Sequence, residues 1–257
     1  MSQIFNGKVP ATLNGAGAAK EFVLLKEEPA IKSVPAHGAS VVTCLLWAAG
    51  GLLVLHLLVM LAILAGDAQK LLPAWQPVFY FDKEGNLPSF FSTFILLLSA
   101  FLLAVVAAIK RKEKDYFARH WAGLAIIFLC MAVDEAAGIH ELLLARFSAE
   151  GTAHIFWGMA GGVLVLVFAV VYYQFYRSLN VAARRGFFIA GACFLLGALG
   201  LEMLGASLLS QGHSDRDLVF MIVMTAEEVL EMGSIIYLIS TLLHYLKPYT
   251  AVGFLIK

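Results

Sequence analysis

The stretch Asp134-Glu135-Ala136-Ala137-Gly138-Ile139-His140-Glu141 stands inside an apolar run, about 119–145, that is long enough to cross a bilayer. A second acidic stretch, Glu227-Glu228-Val229-Leu230-Glu231, lies inside another such run, and Glu202 stands alone in a third. An ionised carboxylate at membrane depth costs several kcal/mol even on gentle scales, so acids in such places are a functional-site hypothesis by default. Seven acids occupy apolar runs, with no Lys or Arg beside them in those runs. Protons, metal cations or a watered pathway are then left to neutralise them.

The whole composition agrees with this setting. Of 257 residues, 61% are hydrophobic and 14% charged, which is too apolar for an ordinary soluble domain. Six runs approach or exceed the roughly 20 apolar residues of a span: 40–65, 89–109, 119–145, 155–176, 187–209 and 218–245. The expected fold is all-α, a polytopic membrane protein with six transmembrane helices in one bundle (39–246), an N-terminal tail (1–38) and a C-terminal tail (247–257). No room is left for a folded soluble domain, and nothing points to nucleic acid.

Lys and Arg set the orientation. Fourteen fall in the two tails and the 110–119 and 177–185 connections, against four elsewhere (Lys70, Lys83, Arg146 and Arg216). The positive-inside rule places both termini in the cytoplasm, and a bacterial inner membrane is the expected location. Residues 1–38 hold no continuous apolar run and do not read as a cleavable signal peptide. Cys44, Cys130 and Cys193 each stand alone on a different run and read as packing residues, with no disulfide framework.

The connection 67–88 carries Pro73, Trp75, Pro77, Phe79, Tyr80 and Phe81, a composition expected at headgroup depth. Asp82-Lys83-Glu84-Gly85-Asn86 lacks the acid spacing of a calcium loop and reads as a turn. Asn86 or Ser89 then caps the second helix, with Pro88 in its first turn. His56, alone on the first run, reads as a satisfied packing residue. The second run is apolar throughout and reads as lipid-facing or as a wall of the bundle, whereas small residues crowd the fourth and fifth runs and allow close helix approach.

By helical geometry Asp134 and Glu141 share a face, seven residues apart, while Glu135 and His140 point elsewhere unless Gly138 distorts the helix. Glu227, Glu231 and Ser234 share a face of the sixth run. By rise per residue, Asp134, Glu135, Glu202, Glu227 and Glu231 fall at a common height in the outer half, with Glu141 and His154 nearer the outer surface. The expected metal ligands are therefore Asp134, Glu135, His140, Glu141, His154, Glu202, Glu227, Glu228 and Glu231.

Carboxylates and imidazole are ligands for iron, manganese or zinc, and two divalent ions would balance four carboxylates. Helix-borne acids build ferritin-like di-metal sites in this way, although their paired Glu-x-x-His is missing here. The leading expectation is metal-assisted chemistry, oxidoreductase or hydrolase in character, on a small or lipid-derived substrate. Three alternatives stand beside it: a proton or cation pathway, haem held by His120 with His244 or by His140 with His154, and an accessory subunit among other membrane subunits.

Overall fold

The computed structural model describes residues 37–66, 74–81, 83, 85–139, 142 and 153–255, and every regular element among them is helical. The elements are α1 (His37–Leu64), the single turn α2 (Gln76–Phe79), α3 (Leu87–Lys112), α4 (Ala118–Ala137), α5 (Ala153–Ser178), α6 (Val181–Leu195), a π-helical turn π1 (Leu196–Leu201), α7 (Glu202–Ser210) and α8 (Leu218–Leu255). The expected N-terminal tail lies outside the described residues but for its last two, His37 and Gly38, which already belong to α1. Five helical stretches are long and apolar enough to cross a membrane: Ser40–Leu64, Leu87–Lys112, Ala118–Ala137, Gly158–Ser178 and Val181–Ser210. The chain is thus an all-helical, multi-pass membrane protein.

Local chemistry explains the helix ends. Asn86 caps α3, its side-chain oxygen accepting from the Ser89 amide (3.0 Å), and Pro88 sits in the first turn where its missing N–H costs nothing. Asn180 caps α6 in the same way through the Ala183 amide (2.9 Å). Asp217 precedes α8 and accepts from the Ser214 amide (2.9 Å) and from His213 Nδ1 (3.1 Å). The Ser214 bond first, then His213, holds the Asp217 carboxyl below its usual range.

One expectation of extent is corrected. The third run does not continue as one helix to 145: α4 stops at Ala137, because Gly138 takes the left-handed conformation (φ 59°) and its amide turns back to the Asp134 carbonyl (2.8 Å). At the other end of the chain α8 stays helical through Pro248 to Leu255, within the expected C-terminal tail.

Helix α8 is the central post, packing on α1, α3, α6, π1 and α7. Helices α3 and α4 form an antiparallel pair joined by a tight turn at the basic end of the bundle, where Phe117 N–H donates to the Asp115 carboxylate (2.7 Å). There Lys110 Nζ donates to Glu113 (2.8 Å) and to the Tyr249 hydroxyl (2.8 Å), fastening α3 to the last turns of α8. The adjoining half of the bundle is filled by Leu103, Val106, Trp121, Leu124, Ile236, Ile239 and Leu242, all buried. Trp121 meets Phe175, Phe187 and Tyr245 at ring-centroid distances of 5.0, 5.8 and 5.1 Å. Cys44 and Cys130, expected in packing, instead face outward, and Cys193 is half-buried. Small size and modest polarity are tolerated on that surface, so their placement is not forced by the core.

Trp121 is 2% exposed and Ile126 on the same helix is 61% exposed. Replacing Trp121 with Ala removes a large side chain from a packed interior and should lower stability by about 3 kcal/mol. Ile126→Ala should change it by less than about 0.5 kcal/mol. Unfolding of the two variants in detergent measures the difference, and equal losses would contradict this packing.

Candidate functional site

At the end opposite Lys110, a cavity of about 770 Å³ opens between α5 and the rest of the bundle, within the size range of small-molecule sites. Six carboxylates line it: Asp134 and Glu135 from α4, Glu202 from α7, and Glu227, Glu228 and Glu231 from α8. Helix α3 adds Ser89 and Ser92, α5 adds Ala160, Gly161 and Leu164, and the π1–α7 segment adds Ala198, Leu199 and Gly205. Its deepest wall, toward the basic end, is made by Met131, Met232 and Ile235. All six acids are half-buried, and Glu231 lies within electrostatic reach of Glu227, Glu135 and Glu202.

Two breaks in helical regularity put the acids there. The first is the end of α4: Asp134 and Glu135 occupy its last turn, and the Ser89 hydroxyl donates to the Glu135 carbonyl (3.4 Å). Carboxylates at a helix C-terminus add to the negative end of the macrodipole, so this turn favours a cation nearby. The second is π1, immediately before Glu202. A π-turn holds one extra residue per turn and so rotates the next stretch of helix about its axis, and such turns recur at functional sites. It presses on α8 at the acids: a Cβ on Gly197 would lie 3.0 Å from Glu231 Cγ and 3.1 Å from the Glu227 carbonyl oxygen.

The segment before α3 contributes to the cavity wall, and its Tyr80 and Phe81 are buried against His56 (ring centroids 5.3 and 4.2 Å). Phe81 and Lys83 both line the cavity. The carboxylates therefore do have a basic residue on their cavity wall, brought from a connection 51 or more positions away in sequence.

His56, fully buried, joins this segment to α8. The Phe81 amide donates to Nδ1 (3.1 Å), which leaves Nε2 to carry the proton and donate to Thr225 Oγ1 (2.9 Å). Thr225 in turn donates to the Met221 carbonyl (2.6 Å). The reading of His56 as a satisfied packing residue agrees with this geometry.

Of the nine expected ligands, the six named above share the cavity. His140 and Glu141 lie outside the described residues, so the expected pairing of Asp134 with Glu141 does too; His154 falls in the first turn of α5, its side chain outside the description. Among the described residues, no three His, Cys, Asp or Glu side chains are grouped as a formed metal-holding set. Two histidines of the haem alternative are described: His120 stacks on Phe175 (5.7 Å), and His244 is exposed.

Fold and cavity together define a multi-pass helical membrane protein with a carboxylate-lined chamber. The chain belongs to the family described as Domain of unknown function (DUF8692), whose model matches residues 45–246 and so takes in all six acids. No curated protein and no solved structure matches it.

If the acids act on one another across the cavity, neutralising one relieves the others. Glu202→Gln and Glu231→Gln should then change stability non-additively, the double variant gaining less than the two singles together by at least about 0.5 kcal/mol. Thermal unfolding of the four proteins at pH 7 measures the coupling, and additivity within error would contradict a shared site.

Proposed function

We propose that the chain is a six-helix membrane bundle with both termini in the cytoplasm of a bacterial inner membrane, and that its cavity takes up a divalent transition metal (iron, manganese or zinc) for chemistry on a small or lipid-derived molecule. The sixth crossing is α8, whose 38 residues extend about 57 Å, well beyond the hydrocarbon core. One observation carries the functional reading: six carboxylates from three separate helical segments line a single chamber. Carboxylates gathered this closely, beside the negative end of α4, favour a cation among them.

In this reading Glu135, Glu202, Glu227 or Glu228, and Glu231 are ligands, with His140 or His154 supplying nitrogen. A divalent ion held by these residues would supply Lewis-acid activation of water, and an acid outside the ligand set would serve as the general base. The reaction is then hydrolytic or oxidative. A second reading, passage of protons or cations along the acids, draws support from their spread, since no formed metal set is present among the described residues. Against it stands the packed half toward the basic end, where Ile235, Ile236, Leu238, Ile239 and Leu242 of α8 are all buried.

Elemental analysis of purified protein, paired with flux assays in proteoliposomes, separates the two. The metal reading expects about one to two equivalents of transition metal per chain, at least roughly tenfold weaker binding in Glu231→Gln, and no flux. A metal-free active preparation with flux abolished by Glu231→Gln would contradict it.

The orientation has its own test, resting on the fourteen-to-four division of Lys and Arg. Cysteines introduced near Lys112 and near His213, in a background without the native three, are exposed to an impermeant thiol reagent on whole cells. Modification near His213 is expected, and preferential modification near Lys112 would reverse the topology.

A further inference from the structure

The chamber has a side as well as an end. Helix α5 is fastened in two places. Near the basic end the rings of Tyr172 and Phe175 meet His120 and Trp121 of α4 (centroids 5.4 and 5.0 Å), and at the other end Met203 and Leu199 of the π1–α7 segment lie against Gly158 and Gly161. Beyond the first fastening the cavity itself comes between α4 and α5: Met131 and Asp134 line it from one helix, Leu164 and Ala160 from the other. Leu164 is 70% exposed and Ala160 is exposed too, so the wall they form is also outer surface. Both helices are long and apolar enough to span, as Ala118–Ala137 and Gly158–Ser178. Met131 and Leu164 each lie six residues inside the end of that span, a depth of about 9 Å. The side opening therefore lies at hydrocarbon depth and faces lipid.

The lining is graded along the membrane normal. Toward the basic end, Met131 lies one turn deeper than Asp134 on α4, Ile235 one turn deeper than Glu231 on α8, and Phe194 about two turns deeper than Glu202 on the α6–α7 segment. Three separate segments thus set carboxylates nearer the end opposite Lys110 and apolar side chains further in, which is the order of head and chain in an amphiphile standing in the adjoining leaflet. We infer that the chamber admits a long-chain amphiphile sideways from the bilayer, between α4 and α5, its chain against Met131, Phe194 and Ile235 and its head among the acids. Ionised carboxylates accept hydrogen bonds and repel negative charge, so the head is one that donates hydrogen bonds and is not anionic: an alcohol, an amine or an amide. This assignment rests on the cavity being the substrate chamber proposed above, and within that reading it selects the lipid-derived class; it holds whichever metal the acids take up.

Full-length protein is placed in phosphatidylcholine vesicles containing hexadecanol with a photoactivatable diazirine in its chain, irradiated, and digested for peptide mass spectrometry. Lipid-facing surfaces take up any such probe, so the signal is the part of the labelling that excess plain hexadecanol removes. That part is expected on the peptides carrying Met131, Phe194 and Ile235, and hexadecyl sulfate at the same level should not remove it. Leu164→Trp, which fills the side opening from an exposed position, should reduce it at least about fivefold, the occupancy lost to an overpacked contact of ordinary cost. Val170→Trp, on the same helix and 71% exposed, should leave it unchanged. Should Leu164→Trp fail to fold, Ala160→Phe takes its place with the same expectation. Absence of competed labelling in the chamber, equal competition by the sulfate, or labelling indifferent to the rim variant would overturn the assignment. Transition metal is measured in the same preparations: competed labelling without metal supports the amphiphile and counts against the metal, whereas metal without competed labelling retains the metal and overturns the amphiphile.

Discussion

A carboxylate cannot be left bare in hydrocarbon, and this constraint shapes the half of the molecule opposite Lys110. Asp134, Glu135, Glu202, Glu227, Glu228 and Glu231 are all turned toward one chamber rather than toward lipid. To achieve that, α4 ends at Gly138 just after its two acids, a π-turn precedes Glu202, and a folded segment brings Lys83 to the opening. The half around Lys110 carries no such burden. It packs Trp121, Ile236, Ile239 and Leu242 in the ordinary way and is pinned at its edge by Lys110 and Tyr249.

The contrast between the halves bears on mechanism. The chamber is backed toward the basic end by the apolar side chains of Met131, Met232 and Ile235. The chamber walls also differ in firmness. Helices α3, α4 and α8 are tightly interlocked, whereas α5 meets π1 and α7 through a few contacts, with Met203 and Leu199 lying against Gly158 and Gly161.

Much of this was legible in the sequence. Apolar runs located the helices but missed the end of α4, because hydropathy has no term for a glycine that turns left-handed inside an apolar stretch, and also the start of α6 and the end of α8, where polar and basic residues interrupt the run. The common height of the acids came from rise per residue and requires only approximate helix ends. The π-turn was not legible, since Leu196–Leu201 has the composition of any small-residue membrane helix and its extra residue is visible only in the hydrogen bonds. Lys83 and the burial of Tyr80 and Phe81 were missed for a different reason. Their partner is His56, and the cue was a lone imidazole on an otherwise apolar helix, which needs two hydrogen-bonding partners and finds one of them in the connection after that helix.

The account depends most directly on π1 lying against the acidic turn of α8. A Cβ at position 197 would stand 3.5 Å from Leu230 Cβ, within the range that disulfides span. In protein without native cysteines, Gly197→Cys with Leu230→Cys should therefore form an intramolecular disulfide under mild oxidation, seen as fragments held together after cleavage in the 211–217 connection until reductant is added. Gly191→Cys with Leu230→Cys, whose position 191 has open space around it, should not. Cross-linking of the 191 pair and not of the 197 pair would place Glu202 and Glu231 on different sides of the helix pair and contradict a shared chamber.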